Sequence, residues 1–162
     1  MFEFILCAIS GALVKIVDHF EDELQRKDWW LYLIAIFYGA TLGYLIGNAT
    51  FGLLFLAAII AQIITNKIDK KTHALGVLVA SVVALLFTGP QLEIWTFGYL
   101  LVLACLDEID AVEFIKPFTR YRLFLKIGTL PFILFGRFDY AISIWIFDIA
   151  YEATKKGLEK IR

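Results

Sequence analysis

The basic residues of this chain are confined to alternate connections between apolar segments. Of its 15 lysines and arginines, only Arg137 lies in the other set of connections. The remaining ones are Lys15, Arg26, Lys27, Lys67, Lys70, Lys71, Lys116, Arg120, Arg122, Lys126, Lys155, Lys156, Lys160 and Arg162. Because cytoplasmic loops of membrane proteins carry an excess of lysine and arginine, the loaded side is predicted to be cytoplasmic. An odd number of crossings follows, in the cell (plasma) membrane, with the N-terminus outside and the C-terminus inside.

The composition also favours a membrane location. Hydrophobic residues make up 60% of the 162 residues, and the mean hydropathy is +0.77. Soluble domains are typically about 45–50% apolar. A soluble core of this length could not bury so much apolar surface, so lipid is the expected solvent. No linker divides the chain, and we expect a single transmembrane domain over residues 1–162.

Seven apolar segments are separated by polar connections. Backbone groups in lipid must be hydrogen-bonded internally, and the segments lack the alternation of strands, which predicts helices. We therefore expect an all-α integral membrane protein, a polytopic bundle of about seven short transmembrane helices, with a kink at Pro131. The segments cover approximately residues 2–17, 29–47, 50–65, 74–88, 94–106, 121–135 and 140–151.

Three glycines recur every four residues in the second segment, at Gly39, Gly43 and Gly47. This spacing puts them on one face of a helix. Small residues on one face allow a second helix to approach closely. The stripe predicts close helix packing, and approach of a ligand is the alternative.

Carboxylates follow every odd-numbered apolar segment on the predicted cytoplasmic side. Hard divalent cations prefer oxygen ligands and relieve the repulsion between neighbouring carboxylates. The hypothesis is that Asp18, Asp22, Asp107 and Asp110 bind Mg²⁺ or Mn²⁺. The alternative is a solvated charged rim, with His19 and His73 as interfacial polar residues.

Basic residues at the same depth suggest a phosphate site beside this metal site. Lys15, Lys126 and Arg122 are predicted to hold phosphate oxygens, which arginine binds with planar, paired donors. Asp148, close to the end of the last segment, is the candidate base. Metal and basic groups together stabilise the charge that develops when a phosphate or diphosphate leaves.

Three functions fit this pattern. The first is a metal-dependent enzyme, resembling a lipid phosphotransferase or prenyltransferase in its chemistry, whose substrate is a membrane lipid with a phosphate or diphosphate. The second is a cation or small-solute transporter or channel, and the third is a non-catalytic subunit of a membrane complex. An acidic pocket favours the enzyme, a continuous polar route the transporter, and paired acids without a pocket the subunit.

Other classes of protein are excluded by what the sequence lacks. It contains no His-Glu-x-x-His, no Walker loop, no Gly-x-Ser-x-Gly and no nucleic-acid-binding module. The expected partners are therefore membrane lipid, a lipid-linked phosphate substrate, and a second copy of the chain or another membrane subunit.

Overall fold

The computed structural model describes residues 1–26, 28–87, 93–109, 119 and 121–160. These residues are predominantly helical, with no strand among them, which confirms the prediction of an all-α chain. Within the described ranges, Trp29–Asn48 alone is both long enough and apolar enough to cross a membrane. Asp110, one of the predicted metal ligands, lies outside the described residues.

The first four helices follow the predicted apolar segments closely. Helix α1 spans Phe2–Asp18 and continues into a π-helical turn, His19–Glu23. Helices α2, α3 and α4 then span Trp29–Asn48, Gly52–Ile64 and Lys71–Leu86. The α2–α3 connection is short, and Gly52 allows it. A Cβ at position 52 would lie only 2.5 Å from the Ile46 carbonyl oxygen, so a larger residue would not fit there.

The later helices differ more from the predicted segments. Helix α5 spans Ile94–Glu108 and helix α8 spans Phe138–Glu159, well beyond the predicted end at residue 151. The sixth segment is divided between two short helices, α6 (Leu123–Gly128) and α7 (Pro131–Leu134). Pro131 starts α7 rather than kinking a longer helix, because a residue without an N–H is tolerated in a first turn.

Close packing of α2 on α4 depends on the predicted glycine stripe. A Cβ on Gly39 would lie 2.4 Å from the Gly76 carbonyl oxygen, and one on Gly43 would lie 2.5 Å from the Ala80 carbonyl oxygen. The helix-packing interpretation of the stripe is therefore confirmed. Helix α1 packs on α2 and α8, and α3 packs on α5, which in turn contacts α6.

The helix ends form a charged end and an opposite end. At the charged end, Thr72 hydrogen-bonds Glu21, and the Lys70 ammonium lies 3.6 Å from Asp22. At the opposite end, the Arg137 guanidinium donates to the Thr50 carbonyl at 2.9 Å. Residues from separate connections therefore contact each other at both ends.

The bundle has an apolar core, and it also exposes many large apolar side chains. Polar side chains such as Ser10, Thr129 and Ser143 are fully buried. Large apolar side chains are exposed on every long helix, at the spacings that mark one helical face. They include Phe2, Ile5 and Ile9 on α1; Trp29, Leu33, Ile36 and Phe37 on α2; Leu78, Val82 and Leu85 on α4; Trp95, Tyr99 and Val102 on α5; and Ile142, Trp145 and Ile149 on α8.

Candidate binding pocket

A cavity of about 150 Å³ lies among α1, α2, α3, α4 and α8 at the charged end. Its inner wall is apolar and includes Leu42, Leu54, Phe55, Ile144 and Phe147. Its polar lining comes from the C-terminal end of α1, the α3–α4 connection, the start of α4 and the residue before α6. Those polar residues are Asp18, Asp22, Lys67, Asp69, His73 and Arg122. The pocket therefore combines an apolar interior with a charged mouth.

Asp18 belongs to a chain of four hydrogen-bonded side chains in the pocket wall. The Tyr38 hydroxyl lies 3.0 Å from Nδ1 of His73, and Nε2 of His73 lies 3.0 Å from Oδ1 of Asp18. The Tyr151 hydroxyl donates to Oδ2 of Asp18 at 2.6 Å. Since an ionised carboxylate only accepts hydrogen bonds, Nε2 of His73 is the donor and Nδ1 faces the Tyr38 hydroxyl. Helices α1, α2, α4 and α8 are thus joined at this point.

Asp18 and His73 stabilise each other's charged forms beyond the ends of the apolar segments. Burial by itself raises the pKa of Asp18, but hydrogen bonds from His73 and Tyr151 and the charge of His73 hold it below its usual range. Burial opposes the charged form of His73 too, yet its bond to Asp18 and that carboxylate's charge raise its pKa. The pair therefore favours a carboxylate–imidazolium arrangement.

Arg122 brings a half-buried positive charge to the pocket. Its guanidinium carbon lies 5.5 Å from the centre of the Phe147 ring and 5.8 Å from that of Tyr151. Its backbone is left-handed, with φ of 50° and ψ of 43°. Residues other than glycine adopt this conformation rarely and at an energetic cost. Arg122 is the residue before α6, and its side chain lines the pocket.

Lys126 and Asp148 form a buried ion pair next to Arg122. The Lys126 ammonium contacts Oδ2 of Asp148 and lies 5.1 Å from the centre of the Trp145 ring. Arg122 is farther from this carboxylate, with Nη1 4.0 Å from Oδ1. Asp148, the candidate base, and Lys126, a candidate phosphate ligand, are therefore engaged with each other.

Asp107 caps the start of α6. Its two carboxylate oxygens accept hydrogen bonds from the backbone N–H groups of Phe124 and Leu125, at 3.0 and 2.8 Å. Burial raises its pKa to about 6 even though both bonds favour the ionised form. The carboxylate satisfies amides that a helix leaves unpaired in its first turn, which is a structural role.

Lys15 holds the π-helical turn rather than contacting the pocket lining. Its ammonium donates to Glu23 at 2.9 Å, and Nδ1 of His19 lies 2.8 Å from the same carboxylate. The hydrogen bond from Lys15 is the main reason why the pKa of Glu23 lies below its usual range. Asp22, which does line the pocket, lies near Lys70.

The structure thus brings together some of the predicted site residues and separates others. Asp18, Asp22 and Arg122 line one pocket, whereas Asp107 faces the amides of α6 and Lys15 faces Glu23. Among the described residues, no three histidine, cysteine, aspartate or glutamate side chains are grouped to hold a metal ion. The magnesium or manganese site remains a prediction.

Sequence reasoning missed Tyr38 as a pocket residue and treated His73 mainly as interfacial. Tyr38 lies in an apolar helix, 35 residues from its hydrogen-bond partner His73. The one sequence feature that relates to the position of Tyr38 is the glycine at position 76 in the facing helix, α4. A Cβ there would lie 2.3 Å from the Tyr38 hydroxyl oxygen, so Gly76 leaves the room that the tyrosine occupies.

Comparison with models of known protein families, with curated proteins and with solved structures finds no match to this chain.

Proposed function

We propose that this chain is an integral membrane protein that binds a lipid-like amphiphile in the pocket at its charged end. The observation that carries the proposal is the pocket itself, which has an apolar interior and a charged mouth within one cavity. Such a cavity matches a ligand with a hydrocarbon tail and a polar headgroup. A dry apolar cavity of roughly 150 Å³ accepts a hydrocarbon group about the size of benzene.

The exposed apolar side chains support the membrane part of the proposal. A soluble monomer rarely exposes a contiguous apolar patch larger than a few hundred Å². Here the outward faces of α1, α2, α4, α5 and α8 all carry large apolar side chains, with Trp95 89% exposed and Leu85 84% exposed. Hydrocarbon chains are the solvent that would cover such faces on all sides.

The position of the polar pocket residues supports a headgroup at the membrane boundary. Asp18 ends α1, and His73 lies in the first turn of α4, whereas Leu42, Leu54 and Ile144 lie well inside their helices. A tail would therefore extend toward the centre of the bundle. The headgroup would stay at the end where the chain carries its charges, which is the predicted cytoplasmic side.

Among the three functions raised by the sequence, the pocket favours the one that acts on a lipid, namely the enzyme. A subunit without a ligand predicts paired acids and no pocket. Pairing is present, as in Asp148 with Lys126, but it coexists with the cavity. The reaction, if the bound lipid is a substrate, is proposed to take place at its headgroup.

Photo-crosslinking in lipid nanodiscs tests this proposal. The probe is lysophosphatidylglycerol with a diazirine in its acyl chain. Labelling is expected on peptides that contain Leu54, Phe55 and Phe147. The variant Ala58→Phe, which fills the pocket from α3, is expected to reduce that labelling about 10-fold, because a bulky ring displaces the tail.

The matched control is Ala74→Phe, which adds the same ring at an exposed position on α4. It should leave pocket labelling unchanged. Labelling spread evenly over the outer helix faces, and insensitive to Ala58→Phe, would show that the pocket does not hold the tail.

A further inference from the structure

We propose that Arg122 is the headgroup anchor of the pocket and that it selects lipids whose headgroup carries a phosphate. This inference rests on the proposed function and deepens it by naming the class of ligand. It follows from the position of Arg122, from the partners of the neighbouring charges, and from the chemistry of the guanidinium.

The position of Arg122 is suited to a headgroup. Arg122 lines the same pocket as the apolar residues of α3, α4 and α8, and its side chain is 25% exposed. The rings of Phe147 and Tyr151 lie against it. Cation–π contacts with these rings hold the guanidinium without using its N–H groups, which can therefore bind a ligand.

In the described part of the chain, the Arg122 side chain has no hydrogen-bond partner that would use its donors. Its nearest carboxylate among the described residues is Asp148, at 4.0 Å, which exceeds hydrogen-bond length. Asp148 contacts Lys126 more closely, so its charge is already paired. A guanidinium has five N–H donors and no acceptor, and a phosphate offers several oxygens in matching geometry.

The other predicted phosphate ligands are occupied by protein groups. Lys15 donates to Glu23, and Lys126 pairs with Asp148. The acidic residues of the mouth are also engaged, which reduces their repulsion of an anion. Asp18 bonds His73 and Tyr151, and Asp22 and Asp69 each lie 3.6 Å from Lys70.

The test compares two photoreactive probes that share one acyl chain. Lysophosphatidylglycerol carries a phosphodiester, and the corresponding monoacylglycerol does not. Half-maximal pocket labelling of the wild-type protein in nanodiscs is expected at about 10-fold lower concentration of lysophosphatidylglycerol than of monoacylglycerol. One charge-assisted hydrogen bond, which only the phosphate probe can form, gives a difference of this size. Arg122→Gln should abolish this preference.

Two further variants separate the role of Arg122 from effects on folding. Arg122→Lys retains the charge without the planar fork and is expected to retain part of the preference. Arg26→Gln removes an exposed arginine outside the pocket and should leave the preference unchanged. Thermal unfolding of each variant verifies that the fold is intact.

Each result decides between the two proposals. Equal labelling by both probes in the wild type, or an unchanged preference in Arg122→Gln, would overturn the assignment of Arg122 while leaving the lipid pocket in place. Absence of pocket labelling by either probe would overturn the proposed function as well. Glycerol phosphate has the phosphate ester but no acyl chain. If it competes for pocket labelling as well as unlabelled lysophosphatidylglycerol does, Arg122 binds phosphate esters in general, and the proposal that it selects lipids is overturned.

Discussion

At the scale of single residues, the polar groups of this bundle act mainly in pairs. Lys126 and Asp148 are only 8% and 7% exposed, and each needs the other to offset the loss of hydration. Asp18 is satisfied by His73 and Tyr151 in the same way. The sequence identified these acids and bases as candidate site residues. It could not pair them, because the partners come from helices far apart in the chain.

Removal of one member of the buried pair is expected to destabilise the fold. We predict that Lys126→Met lowers the free energy of unfolding by about 3 kcal/mol, because it leaves Asp148 without its closest positive partner. Unfolding in mixed detergent micelles measures this change. The control Lys156→Met removes an exposed lysine of α8 and should have little effect.

The double variant Lys126→Met, Asp148→Leu extends this prediction. It should recover much of the lost stability, since an apolar pair of similar volume needs no compensating charge. If the double variant were as unstable as Lys126→Met alone, an unpaired carboxylate would not be the cause of the loss.

At the scale of elements, the sequence predicted the long helices well and the region around Pro131 poorly. The lengths of the apolar segments predicted α1 to α5, and the glycine stripe predicted the packing face of α2. Both features extend over many residues of one segment, so they can be recognised in the sequence. The sixth segment was expected to be a single kinked helix but contains α6 and α7. The break falls just before Pro131, which starts α7. The cap of α6 by Asp107 from α5 joins residues 17 and 18 positions apart, so the sequence could not show it.

The α2–α4 interface gives a direct test of the glycine stripe. Gly43→Ala is predicted to destabilise the bundle by about 1–3 kcal/mol, because the added methyl group would overlap the Ala80 carbonyl and the Val83 side chain. Thermal unfolding in detergent measures the loss.

Gly98→Ala is the matched control within α5. A Cβ at Gly98 would meet nothing within 4 Å. Alanine is the better helix former by about 1 kcal/mol, so this variant should be as stable as the wild type or more so. Equal losses in the two variants would indicate that general helix perturbation, not close packing, sets the stability.

At the scale of the whole molecule, the structure has two ends of different charge and a wide apolar surface between them. The orientation in a membrane, which the alternation of charge in the sequence predicts, stays a prediction. An odd number of crossings was inferred from that alternation, and it predicts that the two ends face different compartments.

Cysteine labelling in intact cells is expected to distinguish the two ends. In a background that lacks Cys7 and Cys105, a cysteine at the exposed Asn48 should react with a membrane-impermeant thiol reagent added outside. A cysteine at Lys70 should react only after permeabilisation. Reaction of both, or of Lys70→Cys alone, in intact cells would contradict the proposed orientation.

The left-handed backbone of Arg122 has a consequence for how this protein would respond to selection. Glycine adopts φ of 50° without the steric cost borne by any other side chain, a difference of about 1–2 kcal/mol. Selection for folding alone would therefore tend to replace Arg122 by glycine. If the guanidinium binds ligand, retention of arginine lowers the stability of the fold in exchange for ligand binding. A screen that selects only for stability would then favour replacement of Arg122 and loss of the binding site.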